Sequence, residues 1–166
     1  MSTASDIVGL ASSTTIDIDA LGEAFDAANQ AARVEAIRSF SKKIQARLFD
    51  AAEGRAVPIQ HMGPEDKGPL EEVIHEGQNT LPMFSSFQKR FCRPSPAEQP
   101  AEREVFWGYN HQTMSPFTGP GYFISYEDEE SGEFWIDYRD IPPERPESWP
   151  KIISNKARLG RFVYHG

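Results

Sequence analysis

The chain has 166 residues, of which 39% are hydrophobic, and its formal net charge is −8 at pH 7. This length is typical of one domain, and the acidic balance disfavours nucleic acid and anionic membranes, which both repel negative charge. The single cysteine, Cys92, excludes an intramolecular disulfide and fits a reducing compartment.

Residues 1–16 contain neither a basic segment nor a sustained apolar run, so they do not have the pattern of a secretory signal. They are rich in Ser, Thr and Ala and are predicted to form a disordered tail. No run of about eighteen apolar residues occurs in the chain, so no membrane span is predicted. These features together predict a cytoplasmic protein.

Residues 17–92 are predicted to be the helical part of a single domain that spans residues 17–166. From Asp17 to Ala52 the chain is rich in helix formers, and its apolar residues recur at helical spacing. The apolar face changes near residues 29–33, so one long helix and two helices with a short break are both compatible with the pattern. These helices are predicted to cover a sheet, and a homodimer or partner contact through them is the alternative.

Two shorter helices are predicted after a loop over residues 55–69. Pro69 at a first helical position and Gly77 after the last turn bound the first of them. A second helix from Thr80 to Phe91 is indicated by an apolar stripe of Met83, Phe84, Phe87 and Phe91. Residues 93–102 hold three prolines and are predicted to connect the helical part to a β part.

Residues 103–166 are predicted to form antiparallel strands. Ten aromatic side chains lie between Val105 and Tyr138, and strict alternation in YFISYE and FWIDYRD predicts a hairpin around EDEESGE. EVFWGYNH is predicted to be the preceding strand, with Gly108 as a bulge or a point of close approach. RFVYH is predicted to be a last strand.

The hairpin register follows from the position of its turn. If the turn centres on Glu130, the opposed pairs are Tyr126 with Phe134, Ile124 with Ile136, and Tyr122 with Tyr138. Both apolar sets then share one face of the sheet, whereas a slip of one residue would separate them.

The runs GPGYF, IDY and RFVYHG resemble the strands of a lipocalin-like half barrel. The resemblance implies a short curved sheet and specifies neither a ligand nor a reaction. The predicted fold is α+β, with N-terminal helices packed on a curved antiparallel β-sheet or small half-barrel formed by the C-terminal half. The chain ends on His165 and Gly166 directly after a strand-like run, which is compatible with a further C-terminal element.

The surplus of aromatic residues predicts a concave site for a small apolar or aromatic molecule. The predicted wall consists of Trp107, Tyr122, Tyr126 and Trp135. The predicted polar anchors are His111, Asp137 and Arg139. The spacing of Asp137 and Arg139 allows a charged pair beside this wall, but the ordinary solvent face of a half-buried strand is the favoured interpretation.

An enzyme is the second hypothesis, with His111 and either Asp137 or a tyrosine as general acid and base. No His, Cys or carboxylate pattern has metal-ligand spacing, and no glycine motif has phosphate-binding spacing, so neither a metal nor a cofactor is predicted. Cys92 is predicted to be a buried hydrophobic residue. The sequence leaves open the ligand, any reaction and the oligomeric state.

Overall fold

The computed structural model describes residues 1–78, 86–157 and 159–164. Two compact units divide the chain, where the sequence predicted one domain from residue 17. The first unit comprises Met1–Arg55 and Gly77–Thr80, and the second comprises Ala56–Glu76 and Leu81–Gly166. The class is α+β, with helices in the N-terminal part and an antiparallel sheet in the C-terminal part, as predicted.

The first unit is built from short helices that each begin at a polar capping side chain. The helices are α1 (Ala4–Ser12), α2 (Ile18–Asp26), α3 (Gln30–Ser39) and α4 (Lys42–Ala51). Their caps are Thr3, Asp17, Asn29 and Ser41, whose side-chain oxygens accept hydrogen bonds from backbone N–H groups of the first turn. The predicted break near residue 29 is present, and a second break separates α3 from α4.

The prediction of a disordered tail over residues 1–16 is wrong. Thr3 and Asp6 form a reciprocal capping box at the start of α1, and Ile7 and Ala11 are fully buried. These two side chains join a helical core that also contains Leu21, Ala24, Ala28, Ala36 and Phe40. The Ser- and Thr-rich composition concealed an apolar i, i+4 pair that gives this helix a buried face.

The second unit contains an open antiparallel sheet whose strands follow the order of the chain. The strands are β1 (Val73–Gln78), β2 (Ser86–Cys92), β3 (Val105–His111), β4 (Tyr122–Glu127) and β5 (Phe134–Asp137). A short helix, α5 (Ser115–Thr118), connects β3 to β4, and 3₁₀ turns occupy Ile59–His61 and Gly160–Phe162. The predicted C-terminal strand over RFVYH is therefore wrong, because Arg161 and Phe162 belong to the second of these turns; its last residue, His165, lies outside the described residues.

Both short helices predicted between residues 69 and 91 are also wrong, because the structure has β1 and β2 there. Part of the second prediction falls on residues 79–85, which lie outside the described residues. Phe87 and Phe91 are four residues apart, a spacing that places two side chains on one face of a helix and equally on one face of a strand. Pairing of β2 with β3, from Gln88–His111 to Cys92–Trp107, is long-range and selects the strand.

The predicted hairpin is present, but its register differs from the prediction by one residue. Tyr126 pairs with Trp135 and Ile124 pairs with Asp137. The turn explains this register, because Gly132 has a left-handed φ of 67° and its N–H donates to the Asp128 carbonyl at 2.8 Å. The Asp128 N–H in turn donates to the Glu133 carbonyl at 2.9 Å and closes the loop.

This register divides the aromatic rings between the two faces of the sheet. The tryptophan face carries Cys92, Val105, Trp107, Tyr109 and Tyr122, against which Trp149 packs. The phenylalanine face carries Phe91, Phe106 and Phe123, with Ile59 and the partly buried Phe134, Ile136 and Tyr138. The expectation that Tyr122, Tyr126, Phe134 and Tyr138 share one concave surface is therefore wrong.

Candidate functional site

Half of the predicted wall, Trp107 and Tyr122, belongs to a filled layer on the tryptophan face. Trp107 and Tyr122 are buried, and the indole of Trp149 packs on Tyr109 with 4.9 Å between ring centroids. Trp149 Nε1 donates to Glu72 Oε1 at 2.6 Å, which fixes the indole over the sheet. These rings act as core side chains.

Two predicted wall residues lie further out on the same face. Trp135 is 45% exposed. Tyr126 is its partner across β4 and β5, and the Arg103 guanidinium carbon lies 3.8 Å from the Tyr126 ring centroid. The Tyr126 ring is therefore covered by a cation.

The predicted anchors Asp137 and Arg139 form an ion pair, as their spacing suggested. Arg139 donates from Nε to Asp137 Oδ1 at 2.9 Å and from its terminal nitrogen to Oδ2 at 2.6 Å. The Asp137 side chain is buried while that of Arg139 is exposed, and the guanidinium lowers the pKa of the carboxyl group. This carboxylate is a poor general base because its charge is already paired.

His111 does not meet Asp137. The strand register places Asp137 opposite Ile124 and Trp107, and His111 lies four residues further along β3. Strand geometry separates the two backbone positions by about 16 Å. The structure therefore does not assemble the predicted acid–base pair. The ring of Tyr109 lies 6.3 Å from that of His111, measured between centroids.

A concavity with a volume of about 680 Å³ lies beside the end of β5. Arg139 is the one predicted site residue that lines it. The other lining residues are Tyr138, Ile141, Ser154, Asn155, Lys156, Arg161 and Tyr164. This volume is typical of sites that bind small molecules.

Asn155 builds the floor of this cavity. Its Oδ1 accepts from the Tyr122 N–H at 3.0 Å, and its Nδ2 donates to the carbonyls of Tyr122 at 2.6 Å and Tyr138 at 2.9 Å. The buried amide thus replaces a missing neighbouring strand at the start of β4. Both amide atoms are therefore used, and the neighbouring Ser154 and Lys156 also line the cavity.

Two tyrosine rings form the aromatic wall of the cavity. Tyr138 and Tyr164 are stacked, with 5.4 Å between centroids and 23° between planes. The Tyr164 hydroxyl accepts from Gln112 Nε2 at 3.0 Å, and the Tyr138 hydroxyl accepts from Asn110 Nδ2 at 3.1 Å. Both rings are therefore fixed in orientation.

The cavity is positively charged although the chain is acidic. Arg139, Lys156 and Arg161 line it, and no acidic side chain is among the described lining residues. Asp137 compensates the Arg139 charge from outside the lining set. Lys156 and Arg161 have no ion pair within the described part of the chain, and the Arg161 guanidinium carbon lies 4.8 Å from the Phe162 ring centroid.

Other candidate groups are less suited to chemistry. Burial raises the pKa of the Cys92 thiol to about 12, so the thiol stays protonated and unreactive, in agreement with the predicted core role. The rings of His61 and His75 lie 5.5 Å apart, and burial lowers the pKa of His75. Among the described residues no three His, Cys, Asp or Glu side chains cluster as metal ligands would.

The sequence did contain a signal for the cavity. Lys151, Lys156, Arg158 and Arg161 lie within eleven residues that contain no acid, in a chain with 25 acidic and 17 basic residues. Sequence reasoning missed this cluster because the aromatic alternation of the hairpin dominated the search for a site.

No family model, no curated protein and no solved structure matches this chain. None of the helices in the described residues is long and apolar enough to cross a bilayer.

Proposed function

We propose that the protein binds a small aromatic molecule that carries an anionic group, in the cavity beside β5. The single observation behind this proposal is the combination of a stacked tyrosine wall with Lys156 and Arg161 in one 680 Å³ cavity. The expected ligand class is thereby narrowed from apolar or aromatic to aromatic and anionic. The proposed site lies at the tyrosine wall of this cavity instead of on the tryptophan face.

Charge at the cavity acts locally. The net charge of −8 repels anions at long range, but physiological salt screens such repulsion beyond about 8 Å. Within the cavity, Lys156 and Arg161 can donate charge-assisted hydrogen bonds to a carboxylate or phosphate. Ile141 and the tyrosine rings supply the apolar surface that a planar ring would cover.

Calorimetric titration with 2-naphthoate tests this proposal, with neutral 2-naphthylmethanol as the matched probe. We expect naphthoate to bind more tightly, and Lys156→Gln or Arg161→Gln to weaken its binding about tenfold, since a charged hydrogen bond contributes about 1.5 kcal/mol or more. Lys151→Gln, which removes the same charge outside this cavity, is the control. Equal affinity for the two probes, or equal effects of all three variants, would contradict the proposal.

A homodimer through the N-terminal helices is the second candidate function. Phe49 on α4, whose ring is 83% exposed, is the side chain that such a contact would cover. The mass in solution by light scattering, compared between the natural chain and Phe49→Gln, tests it. A monomer mass for the natural chain would exclude it. The cytoplasmic location stays a prediction.

A further inference from the structure

Strand β5 forms one edge of the sheet, and the outer side of its backbone has no neighbouring strand. It is last in the order of strands and pairs with β4. The Asp128 N–H donates to the Glu133 carbonyl in the same register as the β4–β5 ladder. Because bonded pairs alternate along an antiparallel ladder, the N–H and C=O groups of Phe134 and Ile136 point away from β4. No other backbone segment pairs with them within the described part of the chain.

This edge is accessible to another chain. Trp135 is 45% exposed, and the side chains of Phe134 and Ile136 are half-buried. The strand contains no lysine or proline and pairs with β4 without a bulge, so it lacks three of the devices that commonly keep an edge unpaired. An extended polypeptide could therefore add to the sheet here.

Opposite charges lie at the two ends of β5. The basic end is the cavity that follows the strand, with Arg139, Lys156 and Arg161. The acidic end is the tip of the hairpin that precedes the strand, where Glu129, Glu130 and Glu133 are exposed. An added chain is therefore favoured in one direction, parallel to β5, with basic residues at the tip and its terminal carboxylate in the cavity.

The length of the edge fits a short peptide. At the usual rise of a strand, Phe134 and Tyr138 are about 13 Å apart along β5. Four or five residues of an extended chain therefore reach from the acidic tip to the cavity. The last side chain of such a peptide would lie against the stacked rings of Tyr138 and Tyr164, and its carboxylate would lie among the cations.

We propose that β5 binds the C-terminal segment of a partner protein as an added parallel strand whose last residue is aromatic. This inference rests on the proposed function, which supplies the cavity for the terminal ring and carboxylate. It names the partner as a polypeptide and adds the edge of β5 to the binding site.

Calorimetric titration of the full chain with a designed peptide tests the inference. The probe is acetyl-Lys-Lys-Thr-Val-Thr-Val-Phe with a free carboxylate. We expect it to bind about tenfold or more tightly than N-acetylphenylalanine, which fills the cavity without reaching the edge, and about tenfold more tightly than its own C-terminal amide. The reversed sequence, acetyl-Phe-Val-Thr-Val-Thr-Lys-Lys amide, is the control for composition and should not bind.

A variant of the acidic tip tests the direction of the added strand. Glu130→Gln combined with Glu133→Gln should weaken binding of the peptide about two- to fivefold, the usual effect of exposed ion pairs. The same variant should leave the affinity for N-acetylphenylalanine unchanged, since this molecule does not extend to the tip. Equal affinities of the variant and the natural chain for the peptide would contradict the parallel direction.

Amide hydrogen exchange measured by nuclear magnetic resonance tests the added strand itself. The peptide should slow exchange at the N–H groups of Phe134 and Ile136, whereas N-acetylphenylalanine should not. Unchanged exchange at both groups overturns the inference, even if 2-naphthoate binds in the cavity. Protection that rises with protein concentration in the absence of peptide would place a second copy of the chain on this edge and would also overturn it.

Discussion

Lys89 carries a folding cost at neutral pH that no nearby carboxylate in the described residues offsets. Its pKa is about 8 in the folded chain and about 10.4 in an unfolded one. Between these values the unfolded chain binds more protons than the folded chain, so the contribution of Lys89 to the free energy of unfolding rises with pH. Below pH 8 the cost is fully present.

Replacing Lys89 by methionine removes this cost. We therefore expect the free energy of unfolding of Lys89→Met, relative to that of the natural chain, to fall by about 2 kcal/mol between pH 7 and pH 10. Urea unfolding at the two pH values, followed by tryptophan fluorescence, measures this shift. Lys42→Met on α4 is the control, since Lys42 is exposed. A difference that stays constant with pH would contradict the account of Lys89.

Single-residue roles were predictable where neighbours in sequence decide them. Asp137 and Arg139 are two residues apart at the end of β5, and their charged pair was one of the two arrangements that this spacing allowed. Lys89 could not be recognised in this way. The predicted helix from Thr80 to Phe91 assigned Lys89 no partner, whereas pairing of β2 with β3 puts it beside Asn110. Its partner Tyr138 is 49 residues away along the chain.

At the scale of elements, Gly108 allows β3 to pack closely against its neighbours. A Cβ atom on Gly108 would lie 2.3 Å from the Phe123 ring and 2.6 Å from the Arg90 carbonyl oxygen. The sequence predicted a bulge or a close approach here. The regular pairing of Gly108 with Phe91 and Phe123 shows a close approach.

We therefore expect Gly108→Ala to lower the free energy of unfolding by about 2 kcal/mol or more, because the strands must separate to admit the methyl group. Denaturant unfolding followed by tryptophan fluorescence measures this loss. Gly22→Ala on α2 is a matched control, since a Cβ atom there meets nothing within 4 Å. It should raise helix stability by about 0.5–1 kcal/mol, measured by circular dichroism. A neutral Gly108→Ala would show that the sheet is more loosely packed than described.

The strands of the hairpin were predictable because alternation over six residues is a local property. Their register was not, because it depends on the turn. Gly132 at positive φ and the bond from the Asp128 N–H to the Glu133 carbonyl centre the turn between Glu130 and Ser131 instead of on Glu130, which shifts the pairing by one residue. One residue is enough to move Phe134 and Tyr138 to the opposite face of the sheet.

At the scale of the whole molecule, each of the two units has a hydrophobic core of its own. All three tryptophans, Trp107, Trp135 and Trp149, belong to the second unit, whereas α1 to α4 belong to the first. Tryptophan fluorescence therefore measures unfolding of the sheet, and helical ellipticity mainly measures unfolding of the helices.

Ile7→Ala should separate these two signals. Ile7 is fully buried in the helical core, and truncation of such a side chain costs about 2–5 kcal/mol. We expect the midpoint from helical ellipticity to fall and the midpoint from tryptophan fluorescence to remain unchanged. Equal shifts of both midpoints would mean that the units unfold as one cooperative system.

The central claim at this scale is that the cavity binds an aromatic anion. Contacts between ligand and protein protons test this claim most directly. Nuclear Overhauser effects should be measured between 2-naphthoate and the isotope-labelled full chain. The account predicts cross-peaks from the naphthoate ring to the ring protons of Tyr138 and Tyr164. It also predicts that Arg161→Gln lowers the affinity for naphthoate at this site. Cross-peaks to Tyr126 or Trp135 on the tryptophan face, or none at saturating naphthoate, would contradict it.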